Sequence, residues 1–121
     1  FRRVLFRSEG ETTELQCDPV GAAYGGTLPD SSFSASSDSG DDYSASKARL
    51  NGPSAWCSAD NSKPGDYLQI ELPTEMSVCA IETQGFGSFG VWVKRFTVAI
   101  SSDGQEWETM VRVPYTRVLI K

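Results

Sequence analysis

The strongest constraint on this chain is an alternation of period two with no helical counterpart. In residues 67–72 (YLQIEL), Leu68, Ile70 and Leu72 share one face while Tyr67, Gln69 and Glu71 take the other, the pattern of a half-buried strand. The same period returns in residues 92–101 (WVKRFTVAIS), where Trp92, Phe96, Val98 and Ile100 have one parity and Val93, Arg95, Thr97, Ala99 and Ser101 the other. Asp103-Gly104 follows as a tight hairpin turn, and residues 107–113 (WETMVRV) read as the returning strand. No stretch sustains an apolar period of 3.6 residues, and Gly, Pro, Asn and Asp clusters separate the alternating runs. The spacing predicts an all-β chain of sandwich type.

Composition narrows the function. The chain has 121 residues, 39% of them hydrophobic and 22% charged, which is one modest globular core. No apolar run approaches the roughly 18 residues of a membrane-crossing helix. The formal charge is −5 and no compact basic patch exists, so nucleic acid is not an expected partner. Histidine is absent, which removes the Ser-His-Asp and Cys-His nucleophiles and the commonest zinc ligand. A carboxylate pair can hydrolyse a glycoside without histidine, but none of the sixteen acids sits in such a motif. No catalytic residue is expected, and the chain reads as a non-enzyme.

Residues 1–8 (FRRVLFRS) hold three Arg and no acid and differ sharply from everything downstream. They resemble the in-frame translation of a sequencing-library adapter, and are set aside as a non-native segment. The chain then divides into residues 1–8, a linker at 9–16 and a domain at 17–121. Without the first segment, eight basic residues face sixteen acidic ones, a net of −8.

Residues 31–46 contain eight serines together with Asp38, Asp41 and Asp42. Phe33 and Ala35 alternate with serines on one side and Ala48-Arg49-Leu50-Asn51 follows on the other, so the reading is strand, long exposed loop, strand; such loops tend to carry function. The three aspartates invite a calcium ion. The helical calcium-loop pattern nevertheless fails, with Tyr43 where Gly is required and Arg49 where the closing Glu belongs. No metal ligand set and no cofactor is expected, with calcium kept as an option.

Taken in order, Cys17, Phe33-Ser34-Ala35-Ser36-Ser37, Ala48-Arg49-Leu50-Asn51, Ala55-Trp56-Cys57, Tyr67-Leu68-Gln69-Ile70-Glu71-Leu72, Thr83-Gln84-Gly85, Trp92-Val93 and Ser101-Ser102-Asp103-Gly104-Gln105-Glu106-Trp107 resemble the discoidin family, also called the coagulation factor V/VIII type C domain. The resemblance covers residues 17 to about 113 and rests on the order of the motifs, each weak alone. It implies a discoidin-type antiparallel β-sandwich, a jelly roll of galactose-binding-like form, incomplete at the C-terminus because nothing after Val113 resembles the family's closing strands. It further implies that Cys17 pairs with a missing C-terminal cysteine, leaving Cys57 and Cys79 as a disulfide, the alternative being a buried Cys79 thiol. Trp56, Trp92 and Trp107 match core or core-rim positions.

The implied function is an extracellular, non-catalytic recognition module for cell adhesion or matrix attachment, within a larger multidomain protein that is secreted or an ectodomain. Its loops at one end of the sandwich would bind a cell-surface or matrix glycan or protein. The candidate contacts are Asp38, Asp41, Asp42, Tyr43, Phe86 and Phe89, although Gly87 and Gly90 serve equally to shape a turn over packed phenylalanines. Inserting Phe86 and Phe89 into a membrane would gain about 1.5 to 3 kcal/mol each, against about 1 kcal/mol lost per aspartate at an anionic surface. An anionic membrane is therefore not the favoured partner. A phospholipid-binding module and a structural spacer remain the alternatives. The collagen-binding members carry a loop Trp and an Arg after Thr-Gln-Gly, where this chain has no Trp and Phe86.

Overall fold

The computed structural model describes residues 3–7, 17–60, 64–75 and 78–110. The linker residues 9–16, residues 111–113 of the expected returning strand, and residues 114–121 lie outside the described residues. Among the described residues seven strands follow in chain order: β1 (Arg3–Arg7), β2 (Cys17–Pro19), β3 (Phe33–Ala35), β4 (Leu68–Ile70), β5 (Val78–Glu82), β6 (Val98–Ile100) and β7 (Glu108–Met110). Among the described residues, helix is confined to 3-10 turns at Asp30–Ser32, Asp41–Tyr43 and Ala45–Lys47. No helix of the described residues is long and apolar enough to cross a membrane.

The described strands form three small antiparallel sheets, ordered β2-β1-β5, β3-β4 and β6-β7. The backbone of Arg3–Arg7, within the segment set aside on composition, is the middle strand of the first sheet, with a register shift between Leu5 and Phe6 where it meets β5. Val and Phe suit a strand, and a ladder needs only backbone donors and acceptors.

The β3-β4 pair carries out the alternation read from the sequence. Phe33 faces Ile70 and Ala35 faces Leu68 across the ladder. Phe33 is buried, Ile70 packs with Ala22 and Leu28, and Leu68 packs with Ala48 and Leu50. Tyr67, of the opposite parity, is exposed. The ladder is shorter than the predicted run of 67–72, but its hydrogen bonds continue beyond it: the Ser36 N–H donates to the Tyr67 carbonyl at 3.0 Å and the Glu71 N–H to the Ser32 carbonyl at 2.8 Å.

Three other expectations change. Residues 48–51 form a turn rather than a strand, closed by the Gly52 N–H on the Arg49 carbonyl at 3.1 Å, with Asn51 at φ 61°; Asn tolerates this left-handed conformation. Residues 92–97 lie outside any strand, and only Val98–Ile100 of the long alternating run pairs. The turn after it is not a two-residue hairpin. Ile100 pairs with Glu108, and the intervening loop winds around Asp103, whose Oδ1 accepts the N–H groups of Gln105 at 2.8 Å and Glu106 at 2.9 Å and the Ser101 hydroxyl at 3.0 Å. These bonds to the ionised form hold the Asp103 carboxyl below its ordinary range.

Arg49 is the chief polar tie of the core. Its Nη2 donates to the Leu28 carbonyl at 2.6 Å and to Asp30 Oδ1 at 2.7 Å, its Nε reaches the same oxygen at 3.2 Å, and its guanidinium lies 4.6 Å from the centre of the Phe33 ring. The fixed fork of the guanidinium suits this set of partners. Nη1 is buried with no hydrogen-bond partner, as is Thr83 Oγ1.

Candidate functional site

The acidic loop is a braced platform. Asp38 Oδ1 accepts the Gly40 N–H at 3.1 Å, an Asx turn. Gly40, at φ 108°, lets the chain swing into the 3-10 turn Asp41–Tyr43, closed by the Tyr43 N–H on the Gly40 carbonyl at 2.9 Å. Residues 54–57 form its floor. The Ser39 N–H donates to the Cys57 carbonyl at 2.9 Å, the Cys57 N–H to the Tyr43 carbonyl at 3.1 Å, and the Ser54 hydroxyl to the Asp42 carbonyl at 2.6 Å. The indole N–H of Trp56 adds a bond to the Ser37 carbonyl at 2.8 Å. Asp38, Asp41 and Asp42 stay exposed and Tyr43 half-buried. Among the described residues no three His, Cys, Asp or Glu gather in a metal-holding group.

Cys57 sits in that floor with a free thiol, its backbone tied on both sides to the acidic loop; the side chain of Cys79, the partner that the resemblance implied, lies outside the described side chains. Partial burial raises the Cys57 thiol above its ordinary range, which disfavours the reactive thiolate.

The second loop divides its two phenylalanines. Phe86 and Val91 bond each other's backbones, at 2.8 and 3.3 Å, and Gly90 at φ 62° completes the reversal. Phe86 is 7% exposed and Phe89 65%, their rings meeting edge to face at 4.9 Å. Phe86 is thus an anchor under the turn, and Phe89 alone presents its ring outward. Trp92 and Trp107, read as core or core-rim, stand exposed.

The turn at Arg49–Gly52 links these regions. The Asn51 N–H donates to Gln84 Oε1 at 2.9 Å, just ahead of the phenylalanine loop, and the Tyr24 N–H to the Leu50 carbonyl at 2.9 Å. Tyr24 and Asn51, both exposed, therefore border this junction. Only these long-range bonds bring the two together.

Comparison with known proteins decides the family. The model of the F5/8 type C domain matches residues 32–117. The chain belongs to the F5/8 type C domain family. The match runs past Val113, where the motif-by-motif likeness stopped, and the all-β antiparallel architecture is that of the family. The chain is 35% identical over 89 residues to the epithelial discoidin domain-containing receptor 1 of Homo sapiens, covering 67% of this chain and 10% of the receptor. It is 30% identical over 89 residues to hemocytin of Bombyx mori, covering 69% of this chain and 3% of hemocytin. This F5/8 type C domain therefore spans a small part of either relative. No solved structure matches it.

Proposed function

We propose that this F5/8 type C domain is a non-catalytic recognition module of an extracellular, multidomain protein, serving adhesion or matrix attachment by binding a glycan or a protein through its loops. The observation that carries the reading is the braced loop from Asp38 to Tyr43, whose carbonyls and N–H groups are held by residues 54–57 while its carboxylates stay exposed. A platform ordered before it meets its partner loses little conformational entropy on binding. A receptor among the relatives and the absence of histidine support recognition over chemistry.

A second reading, phospholipid binding, draws on the exposed Phe89 ring at the tip of its turn. Burying that ring would gain about 1.5 to 3 kcal/mol, and three aspartates near an anionic surface would oppose it by about 1 kcal/mol each, so recognition of a glycan or protein is preferred.

The test is to display the chain on glycan and matrix-protein arrays and on phosphatidylserine vesicles, with calcium and with a chelator. The reading expects a glycan or protein hit that weakens about tenfold or more in D41N/D42N or F89A. Binding to vesicles alone would favour the membrane reading, loss of the hit on chelation would add calcium, and silence on every surface would leave a spacer.

A further inference from the structure

We infer that Asn51-Gly52 is a covalent modification site: Asn51 deamidates to aspartate and isoaspartate, and the folded turn at Arg49–Gly52 sets the rate by how often it opens. The modification is independent of the recognition reading and needs no partner. Asn51 and Asn61 are the two asparagines of the chain, and only Asn51 precedes a glycine. Asparagine is among the chemically labile residues, and a following glycine leaves its own backbone nitrogen unshielded because it has no Cβ.

The reaction consumes only water. The Gly52 nitrogen, its proton passed to hydroxide, attacks Asn51 Cγ. The new N–Cγ bond closes a five-membered succinimide, the Cγ–Nδ2 bond breaks, and the side-chain nitrogen takes up a proton and leaves as ammonia. Water then opens the ring. Addition at Cγ gives aspartate, and addition at the main-chain carbonyl carbon gives isoaspartate, in which the chain runs through Cγ. One water is consumed and one ammonia released, with no change of oxidation state.

The electrophile is open to solvent and the nucleophile is not. Asn51 is exposed, so hydroxide and water reach its amide and ammonia can depart. The Gly52 N–H, by contrast, donates to the Arg49 carbonyl at 3.1 Å. Gly52 is also buried, packed so closely that a Cβ on it would stand 3.1 Å from the Arg49 oxygen and 3.5 Å from Tyr24 Cδ2. The flanking backbone is pinned by the Asn51 N–H on Gln84 Oε1 and by the Tyr24 N–H on the Leu50 carbonyl, both at 2.9 Å. Bringing the Gly52 nitrogen onto Cγ requires rotation about the bond from Asn51 Cα to its carbonyl carbon, and that rotation pulls the Gly52 N–H off Arg49. Against these ties, Asn51 is held at φ 61°, a conformation that is costly for a residue with a Cβ and that opening relieves. The closed turn protects and the open turn reacts, so the rate follows the population of the locally opened state.

The change is one-way. Isoaspartate places an extra main-chain carbon between residues 51 and 52, so the Gly52 N–H no longer meets the Arg49 carbonyl in the same turn. Either product adds a carboxylate to residues 50–53, which carry no charge. The turn so loosened joins Arg49, bonded to Leu28 and Asp30, to Gln84 at the start of the phenylalanine loop.

The experiment incubates the full chain in mildly alkaline buffer, with and without guanidinium chloride, and follows Asn51 and Asn61 by peptide-mapping mass spectrometry with fragmentation that separates aspartate from isoaspartate. In denaturant Asn51 should convert faster than Asn61. In buffer Asn51 should still convert, about tenfold more slowly, as expected when more than one hydrogen bond must open first. Q84A should raise the rate in buffer about fivefold, on the scale of one lost hydrogen bond, and leave the rate in denaturant unchanged. Q84E keeps an acceptor for the Asn51 N–H and should convert at the parent rate, which separates loss of the tie from any general effect of replacing Gln84. The inference is overturned by equal rates with and without denaturant, by an Asn51 that stays intact in buffer long after the denatured sample has converted, or by Q84A and Q84E converting alike.

Discussion

Two regions built from the same alternating pattern end in opposite states. Around β3 and β4, apolar residues at every second position meet partners: Phe33, Leu28, Ala22, Ala48 and Leu50 are buried, with Arg49 bonded among them. Around β6 and β7 Val98 is buried, but Ile100 on the same face is 36% exposed and, outside the ladder, Trp92 stands at 63%, Phe96 at 42% and Trp107 at 47%. Alternation specifies which residues share a face, and burial requires something to lie against that face. The first region has the Gly21–Leu28 loop, closed by the Leu28 N–H on the Gly21 carbonyl at 3.1 Å, and the turn at Arg49. The described part of the second is a two-stranded ribbon, an arrangement marginal by itself in water.

The largest test of this contrast is Phe33→Ala. It removes a buried ring that also carries the Arg49 guanidinium, and should cost about 3 to 5 kcal/mol in urea unfolding of the chain. A cost under about 1 kcal/mol would mean that the β3-β4 packing contributes little. Arg49→Lys comes next. A lysine keeps the charge but cannot serve Leu28 and Asp30 with a fork, and the expected loss is about 1 to 3 kcal/mol; Asp30, itself well exposed, is rehydrated and adds little.

Trp107→Ser should move stability by no more than about 0.5 kcal/mol, as expected for an exposed position. A larger loss would show that the β6-β7 face is covered in solution and would dissolve the contrast. Trp107 fluorescence offers an independent check, since acrylamide should quench it more readily than Trp56, which is half-buried.

The smallest effect is a pH dependence confined to the loop after β6. Because the folded Asp103 carboxyl lies below its unfolded range, its contribution is present at neutral pH and is lost as pH falls through the depressed value, below the ordinary 3.8. The amide resonances of Gln105 and Glu106 should follow that titration by NMR, and D103N should abolish it. Amides that instead titrate at the ordinary value would sink the capping account.

Reading the sequence worked where the physics was local or periodic. Leu68 and Ile70 were assigned to the buried face because period two leaves no other choice once a strand forms. Ser101–Gln105 was legible as a reversal, but not as a loop wound around Asp103: Asp-Gly suits both, and the choice depends on whether the carboxylate finds the N–H groups of Gln105 and Glu106. The acidic loop was legible as a loop while its bracing was not, since Ser54, Trp56 and Cys57 reach it from a separate segment. The division between Phe86 and Phe89 was equally hidden, because identical side chains three apart differ only in which one the turn directs inward.

The sequence by itself determined the all-β character, the parity of the core strands, the neutral-to-acidic loop chemistry and, through the order of its motifs, the family. Each follows from short-range sterics, from side-chain periodicity or from residue type, none of which needs a fold to be expressed. The tertiary structure alone decided that Arg49 is a polar tie of the core, that Cys57 is a free thiol, that Phe86 packs while Phe89 projects, and that Tyr24 and Asn51 share a border. Those outcomes depend on atoms distant in sequence arriving within hydrogen-bond or van der Waals range, and chain connectivity sets that distance only once the strands have paired.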